Sequence, residues 1–433
     1  MKSSIDFLRS RFTKDSALEM GWVVTGHLTS VILSFVIIKI LSGMGTADYG
    51  IYVLVLTAAA FIGIVYGPLQ QAFIRFYYDY LNQNLITPYL RIVTKYLFSV
   101  SLIFFICVLI FAVFFGDETG NNLPFYFFLL AGFYIIILKL NEFYNSGLNV
   151  IRRRKENAIF QGLEKFSVLI FLLAFLYSEN LNLINVFFAL NIIAAASLLI
   201  KVFVFRKYAG KSESEINDKS SKIKSNLITY TTPFLIWAVA GWLQLNGEKW
   251  IINGILSTSD VGIYALMMNI VTALLALPNT VLGEFITPII FKNYSDLSNI
   301  ENVQTGFYYI KFTIIIVAAL TAFSTLITYL IGEKLIILLS SMSYTMHWYL
   351  LPLLCFGTGL FLIGQAQTLL GMALNKPQKY VFVKVATGIL SVFINFLLIE
   401  KFGIDGVAYT IIMMGVFYSV YTFFINRRLI KNV

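Results

Sequence analysis

Thr46-Ala47-Asp48-Tyr49-Gly50-Ile51-Tyr52 returns as Thr258-Ser259-Asp260-Val261-Gly262-Ile263-Tyr264, with five of seven positions identical across a spacing of 212 residues (46 to 258). Each copy lies in a short polar gap between two long apolar runs. Two looser echoes follow: Phe76-Tyr77-Tyr78-Asp79 with Phe291-Lys292-Asn293-Tyr294, and Leu148–Ala158 with Leu370–Tyr380. Two copies of a membrane half-bundle are the usual frame of a pore or carrier with its site between the halves. The repeat therefore sets the expected architecture.

Working outward, the 433 residues are 58% hydrophobic and 12% charged, with mean hydropathy +0.80. A soluble domain carries roughly 25% charged residues, so about half the usual charge is missing. Apolar runs fall at 20–41, 49–74, 94–115, 124–147, 157–177, 183–205, 227–253, 261–290, 306–331, 347–373, 380–399 and 405–425. In lipid such runs must be helices that satisfy their own backbone. The expected fold is an all-α polytopic membrane protein: twelve transmembrane helices in two six-helix parallel-repeat lobes around a central V-shaped cavity. The expected parts are a cytoplasmic amphipathic segment 1–16, an N-terminal lobe 17–205, a cytoplasmic linker 206–226 without a fold of its own, a C-terminal lobe 227–425 and a tail 426–433.

Orientation follows from the basic residues of short loops. With the N-terminus in the cytoplasm, the inside segments hold Lys2, Arg9, Arg11, Lys14, Arg152–Lys155, the basic residues of 206–226, and Arg427, Arg428 and Lys431, while the outside loops hold Lys334 and Lys401. Both termini are expected to be cytoplasmic. The net charge of +10 then faces the anionic leaflet of the phospholipid bilayer, and nucleic acid is not an expected partner. No cleavable signal peptide is expected, because the first apolar run is long and lacks a small-residue cleavage site. Asp48 and Asp260 are expected to cap the second helix of each half. Cys107 and Cys355, in separate apolar runs, read as packing residues.

Ionisable groups inside the membrane each cost roughly 2.5–3.5 kcal/mol at a helix centre, so they mark function unless they snorkel to the headgroups. Snorkelling accounts for Lys201 and Lys311; for Lys39 and Arg75 it competes with a cavity role. In the seventh run Trp237, Gly241, Gln244 and Glu248 share one helix face, with Lys249 adjacent. Lys139, Glu142 and Asn149 form a second polar stripe. Gln161, Glu164 and Lys165 form a third, and Asn269, Thr272 and Asn279 a fourth, with Glu284 nearby. Such stripes either glue helices together or border a hydrated cleft. His27 fits either role and would titrate near neutral pH if wet. The substrate-binding candidates are thus Lys39, Arg75, Lys139, Lys165, Lys249 and Gln244, a set suited to an anion such as a phosphate. The ion-coupling candidates are His27, Glu142, Glu164, Glu248 and Glu284. No phosphate loop, zinc motif or nucleophile elbow occurs. No cofactor, metal or catalytic residue is therefore expected, and the driving force falls to an H⁺ or Na⁺ gradient.

The stretches "IKILSGMGTADYGIY" and "EKWIINGILSTSDVGIY", with a basic N-terminus and twelve helices, resemble the Wzx-type polysaccharide transport flippases of the multidrug/oligosaccharidyl-lipid/polysaccharide (MOP) exporter superfamily. The resemblance spans the whole chain. It implies alternating access in the bacterial cytoplasmic (inner) membrane, carrying an undecaprenyl-diphosphate-linked oligosaccharide outward for O-antigen (lipopolysaccharide), capsule or exopolysaccharide synthesis. A polysaccharide polymerase and a chain-length regulator are the implied partners. Family members place an acidic–basic pair where Glu248-Lys249 stands, and cavity cations such as Lys39 and Lys249 would meet the diphosphate. Related lipid II flippases use arginines in the first helix, where this chain has His27 and Lys39, and they carry two further C-terminal helices. The alternatives are a multidrug antiporter of the same superfamily, which would want a first-helix carboxylate, and a membrane polymerase or ligase, which would want a sizeable outside loop.

Overall fold

The computed structural model describes residue 29 and residues 31–115, 123–210, 220–294 and 298–430. Segment 1–16 and His27 lie outside these residues. Twelve α-helices run in chain order: α1 Val31–Ser42, α2 Thr46–Asn82, α3 Ile86–Phe115, α4 Phe125–Val150, α5 Arg154–Tyr177, α6 Leu183–Tyr208, α7 Ser220–Ile255, α8 Thr258–Asn293, α9 Ile300–Leu339, α10 Leu350–Ala373, α11 Val381–Phe402 and α12 Asp405–Ile430. One π-helical turn, Thr272–Ala276, interrupts α8. No strand occurs among the described residues. Ten of the helices are long and apolar enough to cross a membrane. The other two are α1, the described part of the first run, and α7, whose apolar face is broken by Gln244, Glu248 and Lys249. The result is the helical polytopic fold, with twelve helices among the described residues.

Several boundaries differ from the expectation. The last part of the 206–226 segment, Ser220 onward, is already the first turns of α7, and residues 211–219 lie outside the described ones. The compact units are 1–44 with 55–238, and 45–54 with 239–433; they cut through α2 and α7 rather than falling at the linker. Helix α8 is capped by Ser257, whose Oγ accepts from Asp260 N at 3.2 Å while donating to the Asp260 carboxylate at 2.5 Å. Asp260 thus accepts from the hydroxyl of the cap and is not the cap itself. Asp48 likewise sits in the first turn of α2. Cys355 is buried as expected, but Cys107 is exposed.

In the first unit the core is aromatic. Phe73 lies 6.2 Å from Tyr89 in a stack and 4.8 Å from Phe143, and Tyr80 stacks on Tyr89 at 4.6 Å. The phenols are satisfied by distant carbonyls: Tyr77 OH donates to Ala209 O at 2.6 Å and Tyr89 OH to Ala72 O at 3.2 Å. The α4–α5 turn places Arg152 at φ 60°, and Arg153 N closes it on Leu148 O at 2.8 Å. The α10–α11 turn of the second unit repeats this with Asn375 at φ 55° and Lys376 N on Gly371 O at 2.7 Å. The two turns are 223 residues apart (152 to 375), one more than the sequence echo.

In the second unit the helices approach through glycine: side chains at Gly359, Gly364 and Gly371 would collide with Thr321, Tyr418 and Tyr380. Small residues at such crossings let membrane helices pack by close van der Waals contact. The repeated motif makes the tightest crossing. A Cβ on Gly50 would overlap Thr258 O and lie 3.1 Å from Gly262 N; one on Gly262 would overlap Thr46 O and lie 3.1 Å from Gly50 N. Each copy fills the space its counterpart leaves. Beside them Tyr49, 1% exposed, accepts a hydrogen bond from Asn269 Nδ2 at 2.9 Å.

Candidate functional site

The second unit holds a partly open cavity of about 130 Å³ among α7, α8, α10, α11 and α12. Its polar lining comes from helical spacings: Gln244 and Glu248 one turn apart on α7, and Thr387, Ser391 and Asn395 at successive turns of α11. Tyr264 of α8 and Thr410 of α12 complete it. Glu248 is 7% exposed. Its Oε1 accepts from Tyr264 OH at 3.2 Å and from Lys249 Nζ at 3.1 Å, and Lys249 Nζ also donates to Leu245 O at 2.9 Å.

The hydroxyls have their protons turned away. Thr387 Oγ1 donates to Val383 O at 2.6 Å, Ser391 Oγ to Gly388 O at 2.8 Å and Thr410 Oγ1 to Gly406 O at 2.9 Å. A hydroxyl that has donated its single proton can only accept. Asn395 is 4% exposed and its buried Oδ1 meets no donor. A carboxylate, an amide oxygen and three acceptor hydroxyls thus converge on one small space. Apart from Lys249, which already holds Glu248 at 3.1 Å, that set suits a cation and disfavours an anion. No group of three or more His, Cys, Asp and Glu side chains gathers among the described residues.

In the first unit a different network is closed on itself. Lys201, fully buried, donates from Nζ to Asn141 Oδ1 at 2.9 Å and to Glu164 Oε2 at 3.0 Å. Ser197 Oγ donates to the same carboxylate oxygen at 2.7 Å, and Asn141 Nδ2 holds Ala194 O at 2.8 Å. The snorkelling expected of Lys201 is therefore overturned, because its ammonium finds a carboxylate inside the bundle. The remaining cation candidates of this unit go to separate partners. Arg75 pairs with Asp79 at 2.8 Å, Lys139 with Glu142 at 2.7 Å, and Lys165 donates to Ser34. Lys39 and Lys311 are exposed. The side chains of Trp237 and Glu284 lie outside the described residues.

Of the residues singled out in the sequence, Gln244 and Glu248 line this cavity and Lys249 adjoins it through Glu248, whereas the α11 and α12 residues were not singled out. Thr387, Ser391 and Asn395 do share a face at four-residue steps, a signal present in the sequence but unremarkable in an otherwise apolar run. Lys201 stands one turn from Ser197, which was the available hint of an inward face.

A family of polysaccharide biosynthesis proteins matches residues 17–294. No curated protein matches the sequence. Among solved structures, the lipid II flippase MurJ in an inward closed conformation is similar at TM-score 0.70 with 14% identity, over 93% of this chain and 86% of that one. An inward-facing multidrug resistance transporter of the MATE family, MOP superfamily, gives TM-score 0.66 with 13% identity, over 93% and 95%. A MATE transporter of Vibrio cholerae gives 0.58 with 12% identity, over 97% and 99%. At these identities the likenesses establish the fold.

Proposed function

The chain belongs to the polysaccharide biosynthesis protein family, and on that premise we propose that it is a flippase. Its cargo on this reading is an undecaprenyl-diphosphate-linked oligosaccharide, moved from the cytoplasmic to the outer leaflet of the bacterial inner membrane by alternating access. Both termini are cytoplasmic in this proposal, in keeping with the basic residues of the loops. A polysaccharide polymerase and a chain-length regulator would take the product onward.

The observation that carries the mechanism is the sharing of Glu248 between Lys249 and the acceptor-lined cavity. A proton or Na⁺ arriving at Glu248 neutralises the carboxylate that holds the Lys249 ammonium. The freed ammonium can then meet the diphosphate, which needs compensating positive charge near hydrocarbon. Ion and cargo are in this way linked through one carboxylate, and each must bias the other's binding by the same factor. The charge-assisted contact that Lys249 supplies is worth about 1.5–3 kcal/mol.

Surface glycan display, divided by the amount of protein in the membrane, tests this reading. Lys249→Ala should insert and accumulate while losing display, and Lys249→Arg should retain part of it. Normal display per molecule in Lys249→Ala would refute the cargo role. The MATE likeness sustains a rival reading, drug extrusion; it would be favoured if loss of the protein left glycan intact and raised sensitivity to cationic drugs.

A further inference from the structure

A second polar cavity, of about 260 Å³, lies in the first unit where the end of α2 meets the beginning of α7. Phe76, Asp79 and Tyr80 contribute from α2, Gln83 and Leu85 from the turn that follows it, and Lys222, Ile223 and Asn226 from α7. Helices α2 and α7 have 37 and 36 residues. At 1.5 Å per residue, Phe76 stands about 45 Å along α2 from Thr46, well past a hydrocarbon layer of about 30 Å. Lys222 is near the very start of α7. The cavity therefore belongs to the aqueous ends of these helices, the ends that the proposed topology puts in the cytoplasm.

Its chemistry is selective. Asp79 and Lys222 bring one charge of each sign, and the exposed Arg75 is already held by Asp79 at 2.8 Å. A phosphate or an anionic headgroup would meet the Asp79 carboxylate at close range, so an anion is disfavoured. The apolar part comprises the buried Leu85 and Ile223 and two rings that are held in place. Phe76 meets the Tyr230 ring edge-on at 5.4 Å, and Tyr80 stacks on Tyr89 at 4.6 Å. Asn226 Nδ2 donates to Tyr80 OH at 3.1 Å, so the phenol keeps its own proton to give. Carboxylate, amide, phenol and ammonium groups around fixed aromatic faces match a ring that has hydroxyls at its edge and C–H groups on its face. That description fits a sugar and not a lipid tail.

We propose that this cavity is a saccharide-binding site, which takes a sugar residue of the lipid-linked cargo on the side where the cargo is loaded. The proposal rests on the flippase reading above and names where the glycan, as distinct from the diphosphate, is held. Asp79 and Gln83 accept and donate to sugar hydroxyls, Phe76 and Tyr80 cover a ring face, and Lys222 closes the rim. The site is separate from the Glu248 cavity, which lies in the other unit.

The test uses the full-length protein in lipid nanodiscs and two probes. One is the polyprenyl-diphosphate-linked oligosaccharide extracted from the source cells and radiolabelled in its sugars; the other is undecaprenyl diphosphate without sugar. Gln83 is exposed, so Gln83→Ala removes a sugar contact at little risk to folding, and Asp79→Asn removes the carboxylate. Each variant is expected to weaken glycolipid binding about five- to tenfold, the value of one hydrogen bond to a charged or polar partner, and to leave undecaprenyl diphosphate binding unchanged. Unchanged glycolipid binding in both variants overturns the proposal. An equal fall for both probes also overturns it, and points to a site for phosphate or lipid. If the wild-type protein binds neither probe, the flippase reading fails and this inference fails with it.

Discussion

Lys201→Met cuts the ammonium out of the first unit's closed network while keeping a side chain of similar reach. The lysine makes two charge-assisted contacts, at 2.9 Å to Asn141 and 3.0 Å to Glu164. At about 1.5–3 kcal/mol each, their sum is about 3–6 kcal/mol. Glu164 retains 21% side-chain exposure, so part of its lost partnership is recovered by hydration, and we expect about 3–4 kcal/mol, inside the range of about 3–5 kcal/mol for breaking a buried pair. Glu164→Gln in the Lys201→Met background leaves no unpaired charge and should recover about 2 kcal/mol. The coupling from the double-mutant cycle should then exceed about 1.5 kcal/mol. Denaturant unfolding of detergent-solubilised protein measures the stabilities, and membrane abundance provides an independent readout. A Lys201→Met protein with wild-type midpoint and abundance would show that the ammonium resides among headgroups and that the network is not what joins α4, α5 and α6.

Three further outcomes follow from the geometry. Gly262→Ala should destabilise by about 1–3 kcal/mol through backbone overpacking, whereas Gly254→Ala, with nothing within 4 Å of the new Cβ, should gain up to about 1 kcal/mol of helix propensity; equal effects would contradict the crossing. If Na⁺ is the ion, saturating Na⁺ at about 100 times its Kd should stabilise the wild-type protein by about 2.7 kcal/mol, and Asn395→Leu should abolish that gain while leaving a folded protein. Single cysteines on a Cys107- and Cys355-free background should react with an impermeant thiol reagent from outside at Ser259 but not within 211–219, and labelling of the latter in intact cells would reverse the topology.

The fold was legible because its decisive signals are local. Apolar runs longer than 18 residues have one stable solution in lipid, and the seven-residue repeat divides them into halves. Boundaries were less legible where two signals conflict. The polar composition of Ser220–Asn226 reads as tether, yet these residues form the opening turns of α7, where Ile223 and Leu227, both 1% exposed, pack into the first unit. Half of the candidate site was legible for a related reason. Glu248 and Gln244 are conspicuous in an apolar run, since charge and amide there demand an explanation. Their partners Thr387, Ser391 and Thr410 are not, because a hydroxyl that bonds its own helix is tolerated anywhere. Lys201 was misread because distance to the helix end predicts snorkelling, while only the fold reveals that Glu164 is nearer than the headgroups.

The reciprocal crossing of Gly50 and Gly262 also accounts for where the ancestry of the chain remains visible. After a duplication, each half is free to drift wherever its surroundings can adjust. At this crossing the surroundings of one copy are the other copy. A side chain gained by either glycine strikes the backbone of its twin, and backbone cannot be repacked, so no second change elsewhere compensates. The repeat is therefore clearest here, where five of seven positions are identical, and looser elsewhere in the two halves.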